Sequence, residues 1–413
     1  MTESKRKSLE IGQILRVEIE KVAHGGHFIA RHEGAVIFVR HGIPGEIVEV
    51  EITSLDKSFA RGDVIAVLEA SPSRVKPPCH YARPDGCGGC DFQHISYERQ
   101  RELKAEVIAE QFARIAKMEI DVEVEEISEP LHWRTRFAAT SNSRGELGFK
   151  SARSSNVIPI SSCPVLLPEI DFPTLREAPI LPQSRVEVSL STEGERTIAQ
   201  SELRSTRNEK NPPAQIIEGR SPLHYEVVAD NQSLRYQVSQ GSFWQSNISA
   251  PDALVGAVLK FAQLRQGDHL LDLYGGVGLF AGAVLDSVGP GGRIDIVEAS
   301  RSATSDAAKN FEGISNVKIH TGDVAAEIKK FKRADIVLLD PPRTGAGSGT
   351  IAAIAAIKPR SIIYIACDPA SLARDTGYLS EHGYHLHDIR AFDLFPMTHH
   401  VESVALYRAG EVS

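Results

Sequence analysis

The sequence predicts an α/β chain with two further all-β units ahead of its parallel sheet. Two changes of texture predict this. Over residues 9–70, apolar and polar positions alternate in short runs broken by glycine turns. From Pro251 onward, apolar strand runs alternate with helical stretches, the pattern of βαβ units. Composition agrees: 413 residues, 42% hydrophobic and 24% charged, make ordinary globular material sized for roughly two to three domains. No apolar run approaches the ~20 residues of a membrane span. The start, MTESKRKSLE, has basic residues without an apolar stretch behind them, so no secretory signal is expected. Five cysteines are too sparse for a disulfide scaffold, and a reducing cytoplasm fits them best. The net charge of −8 gives no global attraction to nucleic acid, so any such binding must use local basic patches. A monomer is expected.

The first unit, residues 1–72, holds the runs VEIEKV, GAVIFV, EIVEVEI and DVIAVL, separated by Gly25-Gly26, Glu33-Gly34 and Gly42–Gly45. Period-two runs with such turns predict a small antiparallel, OB-like barrel of about five strands. Ser71–Ser73 and Pro77-Pro78 mark its exit.

The second unit, residues 73–245, opens with Cys79, Cys87, Gly88, Gly89 and Cys90, and Cys163 follows much later. Two glycines let the backbone turn tightly around a ligand. Four thiolates suit either an all-cysteine zinc site or an iron–sulfur cluster, and the spacing leaves both open. A helix at about 96–118, with Leu103, Val107, Phe112 and Ile115 near helical spacing, is expected to pack on the third unit. Residues 127–245 read as β-rich, with Ser201–Pro222 polar enough for a mobile loop.

The third unit, residues 246–413, predicts a Rossmann-like parallel sheet closed by a C-terminal hairpin. Ligands in such sheets bind beyond the carboxyl ends of the strands. Those ends hold Asp272 to Gly278, Glu298, Asp323, Asp340-Pro341-Pro342-Arg343 and Cys367-Asp368-Pro369. Gly276, Gly278 and Ala281, with Glu298 downstream, fit either an NAD site or an S-adenosylmethionine site, since both use a glycine turn and an acid that holds ribose hydroxyls. Asp340 before two prolines makes a rigid turn that can hold an acceptor beside a substrate. Cys367 precedes a helix with Asp368 as N-cap and Pro369 in first position. The helix dipole favours its thiolate, and Asp368 opposes it. A thiol beside a methyl donor has a specific use. Its addition to carbon 6 of a uracil makes carbon 5 nucleophilic, and a base must later remove the carbon-5 proton. Glu402 is the best candidate for that base, with His399 and His400 next.

These residues resemble the bacterial RNA uracil-C5 methyltransferases that carry an iron–sulfur cluster. The family's SCNPxTLARD segment is similar to Ala366–Asp375, its FPHTxHxE segment to Phe395–Glu402, and its FxQxN segment to Phe243–Asn247. The resemblance covers most of the chain. It implies a class I methyltransferase sheet, Cys367 as nucleophile, Glu402 as base, and S-adenosylmethionine as donor. It further implies Gln245, Tyr274, Glu298, Asp323 and Asp340 around donor and target, with Asp272, Gly276 and Gly278 in the glycine turn. It implies a [4Fe–4S] cluster on Cys79, Cys87, Cys90 and Cys163, with seven residues between the first two cysteines where the family usually has five. Asp368 stands in place of the usual asparagine and Met397 in place of a histidine. The barrel resembles a TRAM domain, with His24, His27, Phe28, Arg31, Arg40 and His41 near its turns. In the central unit Trp133 to Phe137, with Lys150 and Arg153, is the best local basic patch for RNA. The barrel favours 23S rRNA as partner, with tRNA second. An NAD-linked oxidoreductase would leave the Cys367 and Glu402 motifs unexplained, and a non-catalytic RNA-binding protein would have no use for them.

Overall fold

The computed structural model describes residues 9–203, 212–229 and 232–410. Strands β1 (Ile14–Ala23), β2 (His27–His32), β3 (Ala35–Arg40), β4 (Ile47–Leu55) and β5 (Ala60–Glu69) close into a barrel in the order β1-β2-β3-β5-β4. Period-two alternation builds it. Along β1, Leu15, Val17 and Ile19 point inward while Ile14, Arg16 and Glu18 face out. Phe28, Ile37, Val39, Val50 and Ile52 fill the interior.

Helix α1 (Tyr97–Gln111) follows and widens into a π turn over Phe112–Ala116. Its apolar residues serve two cores. Leu103 is buried with the barrel interior, whereas Ile108 and Phe112 are buried with one face of the C-terminal sheet. Between them lies Lys104, fully buried, whose Nζ sits 2.6 Å from Asp393 Oδ1 and also donates to Phe395 O at 3.2 Å.

After β6 (Val124–Glu126) comes the central unit: β7 (Arg136–Ser141), β8 (Leu147–Lys150), β9 (Val157–Pro159), the short α2 (Phe172–Leu175), β10 (Ser184–Leu190), β11 (Arg196–Glu202) and β12 (Gln215–Gly219). They form one antiparallel sheet, β12-β11-β10-β7-β8-β9. In the patch expected at Trp133–Phe137 the two aromatics pack inward, while Arg134 and Arg136 are half-buried and line a cavity of about 670 Å³ with Arg185 and Phe243. Trp133 is 1% exposed and Phe137 is buried. The Arg134 and Arg136 guanidinium groups are tied to Arg136 O, Ser189 Oγ and Ser242 O. The arginine–aromatic alternation is that of a packed strand and its lead-in. Arg153 instead reaches the barrel, with Nη2 2.8 Å from His27 Nε2. Of the loop expected over Ser201–Pro222, residues 204–211 lie outside the described residues and β12 occupies 215–219.

The hairpin β13 (Leu223–Ala229) and β14 (Gln232–Val238) leads into the C-terminal unit: α3 (Ala250–Ala262), β15 (His269–Leu273), α4 (Leu279–Ala283), α5 (Leu285–Val288), β16 (Arg293–Glu298), α6 (Arg301–Asn310), β17 (Val317–Thr321), α7 (Val324–Glu327), β18 (Ile336–Leu339), α8 (Gly347–Ile357), β19 (Ser361–Ala366), α9 (Pro369–Glu381), β20 (Tyr384–Asp393) and β21 (Glu402–Ala409). Eight strands pair in the order β17-β16-β15-β18-β19-β21-β20-β6. Strands β15 to β19 are parallel, and β21 lies antiparallel between β19 and β20, so the closing hairpin is present. Helices cover both faces, which is why β19 reads as an unbroken apolar run and is buried throughout. The apolar layer on one face also takes in Leu223, Tyr225, Val227, Tyr236 and Val238. The boundary expected between 245 and 246 therefore cuts through a continuous core, because the hairpin alone has too little apolar surface to fold by itself.

Replacing Lys104 by methionine leaves the Asp393 carboxylate buried without its cation. Breaking one side of such a pair costs about 3–5 kcal/mol, and removing both charges recovers much of that cost. Denaturant titration is expected to show Lys104→Met strongly destabilised and Lys104→Met with Asp393→Leu partly restored.

Candidate active site

Strand order reverses between β15 and β18, the place where an open α/β sheet leaves a crevice at its strand ends. The turn after β15 fits this place. Tyr274 has φ +60°, Gly276 +56° and Gly278 +91°, so three backbone steps take the left-handed conformation. A Cβ on Gly278 would lie 2.3 Å from the Phe311 ring. The Gly276 N–H donates to Glu298 Oε2 at 3.2 Å, and Glu298 Oε1 accepts from the Ser300 N–H at 2.6 Å. Glu298 is thereby fixed at the rim of the turn.

A pocket of about 430 Å³ joins this turn to the next strand ends. Gln245, Tyr274, Gly276, Glu298, Asp340, Cys367 and Glu402 line it, so seven of the sequence-predicted residues meet. Asp272, Gly278 and Asp323 do not line it. Asp272 lies fully buried beneath the turn, where its Oδ2 accepts from the Ala281 N–H, and burial pushes its carboxyl up to about 8. Gly278 caps α4. Asp323 caps α7, accepting from the Ala326 N–H at 3.1 Å. The sequence reasoning missed Arg343, Phe243 and Phe395 as lining residues. Each stands at an end of a motif already singled out, which is the signal that could have found them. Phe243 is 66% exposed, an unusual state for a large aromatic.

The pocket carries buried acids. Burial pushes Asp340 up to about 7. Burial, then Asp340, pushes Glu402 well above the carboxylate range, and Arg343 opposes this. Cys367 is pushed up to about 12, first by burial and then by Glu402, with Arg343 pulling the other way. Arg343 is thus the cation that favours both ionised catalytic candidates.

The segment 393–402 that delivers Glu402 is anchored from outside the sheet. Gln100 Oε1 accepts from the Met397 N–H at 2.9 Å, and its Nε2 donates to Met397 Sδ at 3.4 Å, so the methionine has a specific seat on α1. The Asp91 carboxylate accepts from the His399 N–H at 3.1 Å and pairs with the His399 ring. Asn247 donates to Leu394 O at 3.0 Å.

Cys79, Cys87, Cys90 and Cys163 line one small, largely apolar cavity with Tyr81, Gln93, Phe149 and Ile160. All are free thiols. Burial raises Cys87, Cys90 and Cys163, the last to about 11. The half-buried Arg134 guanidinium lies close enough to Cys163, Cys90 and Cys87 to feel their charge. Four thiols converging on one cavity, with a cation to offset their charge on ionisation, fit an all-cysteine metal or cluster site.

A family model described as tRNA (Uracil-5-)-methyltransferase matches residues 213–409, and a TRAM domain model matches residues 8–65. A protein of Streptomyces avermitilis named as an uncharacterized RNA methyltransferase is 38% identical, with 96% of this chain and 98% of that protein covered. The 23S rRNA (uracil(1939)-C(5))-methyltransferase RlmD of Shewanella piezotolerans is 30% identical, with 98% of each covered. Among solved structures, the tRNA (uracil-54, C5)-methyltransferase of Pyrococcus abyssi in complex with S-adenosyl-L-homocysteine superposes with a TM-score of 0.73 at 22% identity, covering 95% of this chain and all of that one, which shows a shared fold. With likenesses that run the length of the chain, the protein belongs to the tRNA (uracil-5-)-methyltransferase family of RNA methyltransferases and carries a TRAM domain as its N-terminal barrel.

Proposed function

We propose that this enzyme transfers the methyl group of S-adenosylmethionine to carbon 5 of a uridine in RNA, through a covalent bond between Cys367 and carbon 6 of the uracil. The observation that carries this reading is the meeting of Cys367, Glu402 and Asp340 in the same pocket as the glycine turn and Glu298. Glu298, held at the Gly276 N–H, is placed to accept from ribose hydroxyls. Asp340, on its rigid Pro-Pro turn and pushed up to about 7, can donate to or accept from the uracil edge. The donor supplies an electrophilic methyl on a cationic sulfur, and that charge, with Arg343, favours ionised Cys367 and Glu402.

Cys367 Sγ forms a bond to carbon 6, and the displaced π electrons collect as an enolate on the ring. Carbon 5 takes the methyl, and the sulfonium leaves as a neutral thioether. Glu402 then accepts the carbon-5 proton. The freed pair restores the ring double bond, and the sulfur–carbon bond breaks. A base with a raised pKa suits that last step. The uracil must leave its stack, because the thiol approaches from above the ring.

A 23S rRNA substrate is favoured by the RlmD likeness along the whole chain and by the barrel, with tRNA second. For the four cysteines, a [4Fe–4S] cluster is favoured over zinc. The ground for this is the resemblance of the cysteine motif, together with the sharing of one cavity by the four thiols.

Cys367→Ala is expected to abolish methylation while changing RNA affinity by no more than about threefold. Glu402→Gln is expected to hold methylated RNA on Cys367, seen on a denaturing gel as a protein–RNA band labelled from the donor. Normal turnover of Cys367→Ala contradicts the covalent route. The single-turnover rate is expected to rise with pH between about 6 and 9, since Cys367 and Glu402 must lose protons held by burial. A rate that falls across that window assigns the proton steps to other groups. Anaerobically prepared protein is expected to be brown, with about four irons per chain. One zinc per chain without visible absorption removes the cluster reading.

A further inference from the structure

We infer that the β1–β2 turn of the barrel is a wall of the active site, and that His24 on this turn is a positioning residue for the nucleophile. The inference rests on the reading of Cys367 as the reacting thiol.

A second cavity, of about 190 Å³, lies between this turn and the catalytic sheet. His24, Gly26, Cys367, Asp368 and His399 line it. Cys367, Arg343 and His400 line both this cavity and the larger pocket, so the thiol stands in the partition between them. The barrel reaches the loop that carries the thiol. His24 Nε2 lies 2.8 Å from Asp368 Oδ2, while Asp368 Oδ1 accepts from the Ser371 N–H at 2.8 Å. One carboxylate oxygen caps α9 and the other holds the barrel. The residue so clamped is the chain neighbour of Cys367.

The clamp also addresses a charge problem. Asp368 is one of the groups that disfavour the Cys367 thiolate. Burial would raise the Asp368 carboxyl, yet the His24 and Ser371 bonds hold it below its ordinary value, so the site carries that negative charge. An N–H from His24 on Oδ2 draws part of the charge away from the sulfur. The aspartate in place of the family's usual asparagine is thus matched by a partner from another unit of the chain.

The turn has a second point of contact. Gly26 has φ +78°, and a Cβ there would fall 2.1 Å from Asp91 Oδ2 and 2.7 Å from His399 Nδ1. His399 stands three residues before Glu402. One tight turn therefore abuts both the nucleophile segment and the base segment, and only glycine allows it so close. Its loss has two consequences for the thiol: a more open approach from the barrel side, and a looser Asp368.

Two measurements on the full-length protein test this. The first is alkylation of Cys367 by iodoacetamide without RNA or donor, followed by mass spectrometry of the peptide that contains it. Measured in an Asp368→Asn background, where the carboxylate charge that disfavours the thiolate is absent, His24→Ala is expected to speed this labelling at least threefold. The second is steady-state methylation. His24→Ala is expected to lower kcat about 3- to 30-fold with the KM for the donor unchanged, and to have no further effect on kcat in an Asp368→Ala background. His24 is 40% exposed on its side chain, so its removal leaves the barrel folded. Gly26→Ala gives an independent displacement of the turn and is expected to speed labelling as well. Unchanged labelling in both variants overturns the wall. A kcat within twofold of wild type, or equal losses with and without the Asp368 carboxylate, overturns the positioning role. Labelling needs neither RNA nor methyl transfer, so it answers even where the covalent route to carbon 5 fails.

Discussion

The ion pair between Lys104 and Asp393 is the joint on which the arrangement of units depends. Both side chains are 0% exposed, and the only other bond of the ammonium group goes to Phe395 O among the described residues. Burying a charge is tolerable only with a close partner, and here burial already pulls the lysine below its ordinary value. The pair therefore holds only in one geometry. It fixes α1 against the end of β20, where the chain leaves the sheet for the segment that brings Glu402 back. Gln100, one turn earlier on α1, holds that segment again through Met397. Glu402 is thus set in place by a helix that lies outside the C-terminal sheet.

Much of the architecture was legible because its causes are local. Alternation along Ile14–Ile19 and the glycine turns announce the barrel, and five apolar runs with acidic or reactive ends announce the strand-end site. What could not be read depends on distant partners. Lys104 sits in a stretch rich in charge that reads as solvated, and nothing near it points to an aspartate 289 residues away. Trp133 to Phe137 has the composition of an exposed patch, but its aromatics pack inward, Trp133 beside Val165, and only its arginines keep part of their surface. Asp323 was placed with the donor contacts by resemblance, and the structure adds that its Oδ1 caps α7. Arg343 lay in view beside Asp340, yet its influence on Cys367 and Glu402 appears only once three strand ends are brought together.

The pocket is notable for its reluctance to hold negative charge. Asp340, Glu402 and Cys367 are all pushed towards their neutral forms, and Asp272 beneath the turn is as well. Arg343 is the cation beside them that opposes this for Cys367 and Glu402. On the proposed reading, the sulfonium of the donor adds to that charge when it binds.

Helix α1 carries one further implication, for the way such chains are assembled over evolutionary time. Its apolar residues are divided, with Leu103 given to the barrel and Ile108 and Phe112 to the sheet. An N-terminal barrel joined only by a tether can be gained, lost or exchanged between lineages without consequence for the rest. This one is bound more closely, because its removal would uncover Leu103 together with the barrel-facing Phe92 and Ile95. A version of this chain without the barrel would need polar residues at those three positions to stay soluble.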